Sequence, residues 1–210
     1  MPENMGVVLQ SLRRRIRTMH LLWSAAASDM QGEQVNYHFK DGVLPLACSF
    51  AHNFIGEDAT VSWYLLGQES LWTREDWQNK VNLQIPVDAS AAVKEYQPYP
   101  EGSPWVGIPV QTMQYQRIGS WNSWREYQSQ VIKQTEDALQ QVNLDDLLQV
   151  AIPSLPSSLD KGYIGQLVNN PAGSVTVLEV LEATVYAHGL RHIGEVEYGR
   201  AIVGRGGLTM

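Results

Sequence analysis

The chain has 210 residues, 44% hydrophobic and 18% charged, which is enough apolar mass for a single domain spanning residues 1–210 with a sizeable core. Its formal net charge of -7 argues against nucleic acid as a partner, since a general electrostatic grip on phosphates needs a basic stripe. Cys48 is the sole cysteine, so an intramolecular disulfide and any multi-cysteine zinc or iron–sulfur site within one chain are excluded, and a reducing cytoplasm is the simplest compartment. No secretion signal opens the sequence, and no uninterrupted run of about 18 apolar residues occurs, so a cytoplasmic protein without a membrane partner is expected.

The first helical pattern runs from about Met5 to Ala27. Leu9, Leu12, Ile16, Met19 and Trp23 form its apolar stripe, and the alternating Arg13, Arg14, Arg15 and Arg17 read as a solvated face. A turn-rich segment, Asp29 to Asp41, leads into a second apolar helix over about Leu44 to Leu66, which carries His52. The third pattern starts near Ser120 and repeats Trp124, Tyr127, Val131, Thr135, Ala138 and Val142 at three- and four-residue steps; Asp145 to Val150 adds a short helical turn. The fourth helix begins near Ser174, whose hydroxyl can cap its first turn. It continues through Val177, Leu178, Leu181 and Val185 to His188 and His192, and ends at Gly204, Gly206 and Gly207. Four helices of this length suggest an all-α bundle, the first two antiparallel neighbours, with the order of the rest left open.

Between the second and third helices lies an insertion of about 67–119, too long for an ordinary connector. It places Trp72, Trp77, Tyr96, Tyr99 and Trp105 among several prolines, more aromatic mass than a disordered linker carries. It reads either as a lid or pocket wall over one end of the helices, or as a covering for exposed core.

His188-Gly-Leu-Arg-His192 is the segment with chemistry in it. Four residues apart on a helix, the two imidazoles differ by about 40° around the axis and about 6 Å along it, so both can converge on one ion. His52 is the natural third ligand, and three imidazoles suit Zn or Ni. A single histidine on an apolar face is more often a hydrogen-bonded core residue, but one shared ion would satisfy two such residues together. Gly189 stands where a zinc-protease helix carries its glutamate, so that reading fails. Glu195, three residues after His192, can act as an acceptor behind a ligand or as a proton-transfer group, or equally as a salt-bridge partner for Arg191 or Arg200. Around His52, Cys48, Gly56 and Ala59 are small enough to leave room for a ligand. Glu57 and Asp58 point elsewhere on that helix and read as structural or interface charges.

The run Ala51-His52-Asn53-Phe54-Ile55-Gly56-Glu57-Asp58, together with His188-Gly-Leu-Arg-His192-Ile-Gly-Glu195, resembles the DinB superfamily. The segment Gly32-Glu-Gln-Val-Asn-Tyr37 is similar to the family's stretch before its first metal histidine, and Glu195 stands where the family commonly has Gln. The resemblance covers most of the chain. It implies an antiparallel four-helix bundle of up-down-down-up order, a divalent ion on His52, His188 and His192, and a homodimer. It also implies a thiol-dependent transferase or isomerase using mycothiol, bacillithiol or glutathione, whose thiol the metal would activate. The long insertion departs from the minimal family pattern.

Three classes of function are therefore in play. One is a thiol-dependent S-transferase acting on a small-molecule substrate, with Glu195 as its candidate catalytic residue. A second is a metal-activated hydrolase, and the third a non-catalytic metal-binding stress-response protein.

Overall fold

A computed structural model describes residues 4–84, 113–153 and 174–208. The fold is mostly helical. In chain order come α1 (Asn4–Ser28), α2 (Gly32–Val35), α3 (Leu46–Tyr64), α4 (Leu71–Arg74), α5 (Trp77–Val81), α6 (Trp121–Gln141), α7 (Leu144–Leu147), and a final helical run. That run is made of α8 (Val177–Val180), a π-helical segment (Leu181–Ala187) and α9 (His188–Ile202). The strands are minor: Leu83–Gln84 pairs antiparallel with Arg117–Ile118, and Val150–Ile152 with Val175–Thr176. No helix among the described residues is long and apolar enough to cross a membrane.

Each long helix buries the stripe its sequence foretells. Leu12, Ile16, Met19 and Trp23 of α1 are fully buried, as are Trp124, Tyr127 and Val131 of α6. Removing this much apolar surface from water is the main force holding the helices together. Trp23 meets Phe50 and Phe54 edge-on at 5.2 and 5.3 Å, tying α1 to α3 through the centre.

Cross-helix contacts fix the directions. Trp23 beside Phe50 and His20 bonded to Glu57 set α1 antiparallel to α3. Trp121 edge-on to Phe50 and Gln134 bonded to Ser62 leave α3 and α6 parallel in chain direction. Ser49 bonded to Glu195 and Thr60 facing Thr184 set the final run antiparallel to α3. Arg15 on Glu182 and Arg200 on Asp29 make it parallel to α1.

Several local expectations need correction. The arginine face of α1 is only partly solvated: Arg13 donates to the carbonyls of Leu139, Gln140 and Val142, closing the C-terminus of α6, and Arg15 pairs with Glu182. The final run is capped by Thr176, whose hydroxyl accepts from the Glu179 amide while the Glu179 carboxylate accepts from the Thr176 amide; Ser174 lies outside the cap. Val150 belongs to a strand, so the short helix after α6 stops at Leu147. Gly204, at φ +79°, is the residue that turns the chain out of α9.

Glu57 and Asp58 are structural, and both are deep in the core. Asp58 accepts from the amides of Leu71 and Trp72, the Tyr127 hydroxyl, the Gln134 amide and the Ser62 hydroxyl. It thereby fastens the start of the 67–119 insertion to α3. Trp72 and Trp77 then pack on Tyr127 at 5.1 and 5.6 Å, so this part of the insertion covers core between α3 and α6. Tyr96, Tyr99 and Trp105 lie outside the described residues.

Candidate metal centre

The centre is built where α9 is pressed between α1 and α3. Two glycines allow the approach: a Cβ at Gly189 would overlap the Met19 sulfur on α1, and one at Gly199 would overlap the Leu46 side chain on α3. Position 189 thus faces the packed α1 side, which is why a glutamate there would not serve a metal. Just upstream the helix widens into π geometry, with the Thr184 hydroxyl donating to the Val180 carbonyl at 2.7 Å. Such segments are rare and concentrate at functional sites. This one ends at His188.

His52, His188 and His192 are brought together, and their ligating nitrogens all lie within 4.8 Å of one another. His188 Nε2 is 3.0 Å from His52 Nε2 and 3.0 Å from His192 Nε2, and the rings stand nearly perpendicular. No other trio of His, Cys, Asp or Glu converges in this way among the described residues.

The protonation pattern decides what these contacts mean. His192 Nδ1–H donates to Glu195 Oε2 at 2.6 Å, which leaves its Nε2 as a bare lone pair in the neutral ring. His188 bonds the Thr184 backbone, and since its Nε2 faces the other rings that bond falls to Nδ1. With all three rings neutral, the Nε2 lone pairs of His188 and His192 face each other at 3.0 Å, an arrangement that a cation shared between them would satisfy. Burial, then the neighbouring rings, pushes His188 down to about 2 and His52 down to about 4, so these two rings are neutral, the form in which imidazole ligates a metal. The donor set fits a metal: nitrogens at roughly 2.0–2.1 Å from a tetrahedral zinc stand about 3.3 Å apart, close to the spacing here.

Glu195 holds the outer side of this arrangement. Burial would raise its carboxyl, but the bonds from His192 and Ser49 and the nearby Arg191 hold it below the usual carboxylate value. Ser49 donates to the same Oε2 at 3.1 Å. A carboxylate behind a ligating histidine fixes its tautomer and makes its free nitrogen a better donor. Ser49 escaped the sequence reading, although it lies three residues before His52 and so near its face. Cys48 is buried, and burial followed by the Glu195 charge pushes its thiol up to about 12, so it supplies no thiolate.

A cleft of about 310 Å3 opens beside Ser49 and Glu195. Its walls come from the loop between α2 and α3 and from the last turns of α9. None of the described part of the insertion lines it.

No known protein family and no curated protein matches the sequence. A solved structure of a conserved protein from Enterococcus faecalis is similar, with a TM-score of 0.66 over 97% of this chain and 98% of that one at 16% identity. At that identity the likeness shows the fold alone.

Proposed function

We propose that the protein is a divalent-metal protein of the DinB type, in which His52, His188 and His192 hold one Zn or Ni ion and serve a thiol-dependent transferase or isomerase. The observation that carries this reading is the convergence of the three imidazoles, with His188 Nε2 3.0 Å from the Nε2 atoms of both His52 and His192. Four long helices running up, down, down and up support a DinB-like four-helix bundle as the scaffold. A homodimer belongs to the same reading, and light scattering tests it: a mass near the 23.5 kDa of one chain counts against it.

When bound, the ion supplies positive charge that favours thiolate over thiol and a coordination position for the sulfur. The chain's own residues do the rest. His192 is aimed by Glu195, which is itself held by Ser49. Because Glu195 Oε2 accepts from both the histidine and the serine, Glu195 is a positioning residue for His192.

The test has two stages. After chelation and reconstitution, His52→Ala, His188→Ala and His192→Ala should each lose the stoichiometric metal that the parent protein holds; full retention in all three overturns the site. Metal-loaded protein should then gain thermal stability with mycothiol, bacillithiol or glutathione. Esterase or amidase turnover without any thiol would instead indicate the hydrolase, and a saturated site with neither response a non-catalytic metal protein.

A further inference from the structure

The cleft beside Glu195 has the features of a preformed ligand site. Its two walls are braced from behind. On one side, the Gly42 amide donates to Gln114 Oε1 at 2.6 Å, and His38 stacks on Tyr115 at 5.8 Å, pinning the loop between α2 and α3. On the other, Gln34 donates to the Val203 carbonyl and accepts from Arg205, pinning α2, where that loop begins, to the end of α9. At the floor, Gly199 lets α9 lie against Leu46. A cleft held this way keeps its shape without a ligand, which lowers the entropic cost of binding one.

The lining has one chemical character. Tyr37, Phe39 and Tyr198 stand at its edges with 50, 49 and 71% of their surface exposed, an unusual set of large rings left in water around one opening. Leu44, Pro45 and Ile202 continue the apolar surface inward. Among the described residues Glu195 is the only acidic group in the lining, and no lysine or arginine joins it. Its Oε2 is occupied by His192 and Ser49, whereas among the described residues Oε1 has only Arg191 Nε at 3.9 Å. One carboxylate oxygen therefore remains available to a donor at the inner end of an apolar, ring-edged cleft.

We infer that this cleft takes the second substrate of the metal centre: a small uncharged or cationic molecule with an aromatic or branched apolar body and an amine, amide or hydroxyl donor directed at Glu195. The inference rests on the metal reading for the word substrate, while the binding preference rests on the cleft itself. An anionic ligand would bring like charge against Glu195 with no basic group among the described lining residues to receive it, whereas a cationic one gains both the carboxylate and the aromatic rims.

Three fluorescent probes of equal shape test this: naphthylmethylamine, naphthalenemethanol and naphthylacetate, titrated into metal-depleted and into zinc-loaded protein. The amine and the alcohol should shift the amide resonances of Gly42, Leu44, Gly199 and Val203, and the amine should bind about tenfold more tightly than the acetate. Glu195→Gln should bring amine and acetate to within about twofold of each other, and Tyr198→Ala, at an exposed position, should weaken all three. Ile202→Trp should fill the cleft and abolish the shifts while far-UV circular dichroism and metal content stay at parent levels. Equal or tighter binding of the acetate, shifts that map elsewhere, or no binding of any probe at millimolar concentration overturns the inference. Probe binding that persists in protein unable to retain zinc would sink the metal reading and leave the cleft standing. Stoichiometric zinc with no probe binding would do the reverse.

Discussion

His192 Nδ1 lies 2.6 Å from Glu195 Oε2, so the third histidine of the trio is held from behind by a carboxylate that a serine on another helix also holds. This linkage predicts a graded response. Glu195→Gln keeps a weaker acceptor for the imidazole N–H and should lower zinc affinity about tenfold, while Glu195→Ala removes it and should approach a hundredfold. Competition against a chromophoric chelator measures both. Affinities equal to the parent in the two variants would show that Glu195 does not position His192.

Much of this arrangement was readable in the sequence, and the gaps have physical causes. The stripes of α1 and α6 are legible because each helix buries one face, so Leu12, Ile16 and Met19, or Trp124, Tyr127 and Val131, recur with the helical period. The His188–His192 pair is legible because four residues of α-helix superpose side chains wherever the helix sits. The π segment is not, since over seven residues an apolar pattern fits either helix type. The cap is legible in the residues themselves: Thr176 with Glu179 three residues on is a capping-box pattern that Ser174 lacks. The cleft walls, and the reason for glycine at 189, depend on which helix packs where, and one sequence does not carry that.

His20 gives a pH signature. Both ring nitrogens face carboxylates, Glu57 at 2.9 Å and Glu136 at 3.1 Å, so both must donate and the ring is an imidazolium. Burial works against that charge, but Glu57 and then Glu136 outweigh it and raise the ring above its ordinary 6.5. A histidine raised in the folded state stabilises fully below the unfolded value and loses that contribution as pH climbs through the folded one. Chemical denaturation should therefore show the His20 contribution present in full below its ordinary 6.5 and declining as the pH climbs through the raised folded value. His20→Gln should remove this component of the slope and cost about 3–5 kcal/mol at the lower pH, because Glu57 is left buried without its cation. An unchanged pH slope in the variant would contradict the assignment.

Asp58 is the anchor between α3 and the start of the insertion. Its two oxygens accept five hydrogen bonds, two of them from the backbone of Leu71 and Trp72. Burial still raises its carboxyl above the ordinary value, offset in part by those donors. Asp58→Asn exchanges one acceptor for an NH2 aimed at donors and should destabilise by about 2–4 kcal/mol in urea unfolding. Hydrogen exchange should rise first at Leu71 and Trp72, while metal binding by the distant trio stays near the parent level. Uniform loss of protection with no preference for that segment would argue against an anchoring role.

The glycines of α9 divide by what lies opposite them. Gly189 faces the Met19 side chain so closely that a Cβ would overlap it, whereas nothing lies within 4 Å of a Cβ built on Gly194. Gly194→Ala should therefore stabilise by about 0.5–1 kcal/mol, as expected for replacing glycine in an exposed helix interior. Gly189→Leu should cost about 1–3 kcal/mol, because it wedges α9 away from α1. The same displacement moves His188 and His192 relative to His52, so metal affinity should fall together with stability. Adding Met19→Ala should restore part of both losses by vacating the overlapping volume, a coupling that a double-mutant cycle reads directly. If Gly189→Leu lowers stability and leaves metal affinity unchanged, the packing of α9 against α1 does not set the spacing of the three histidines.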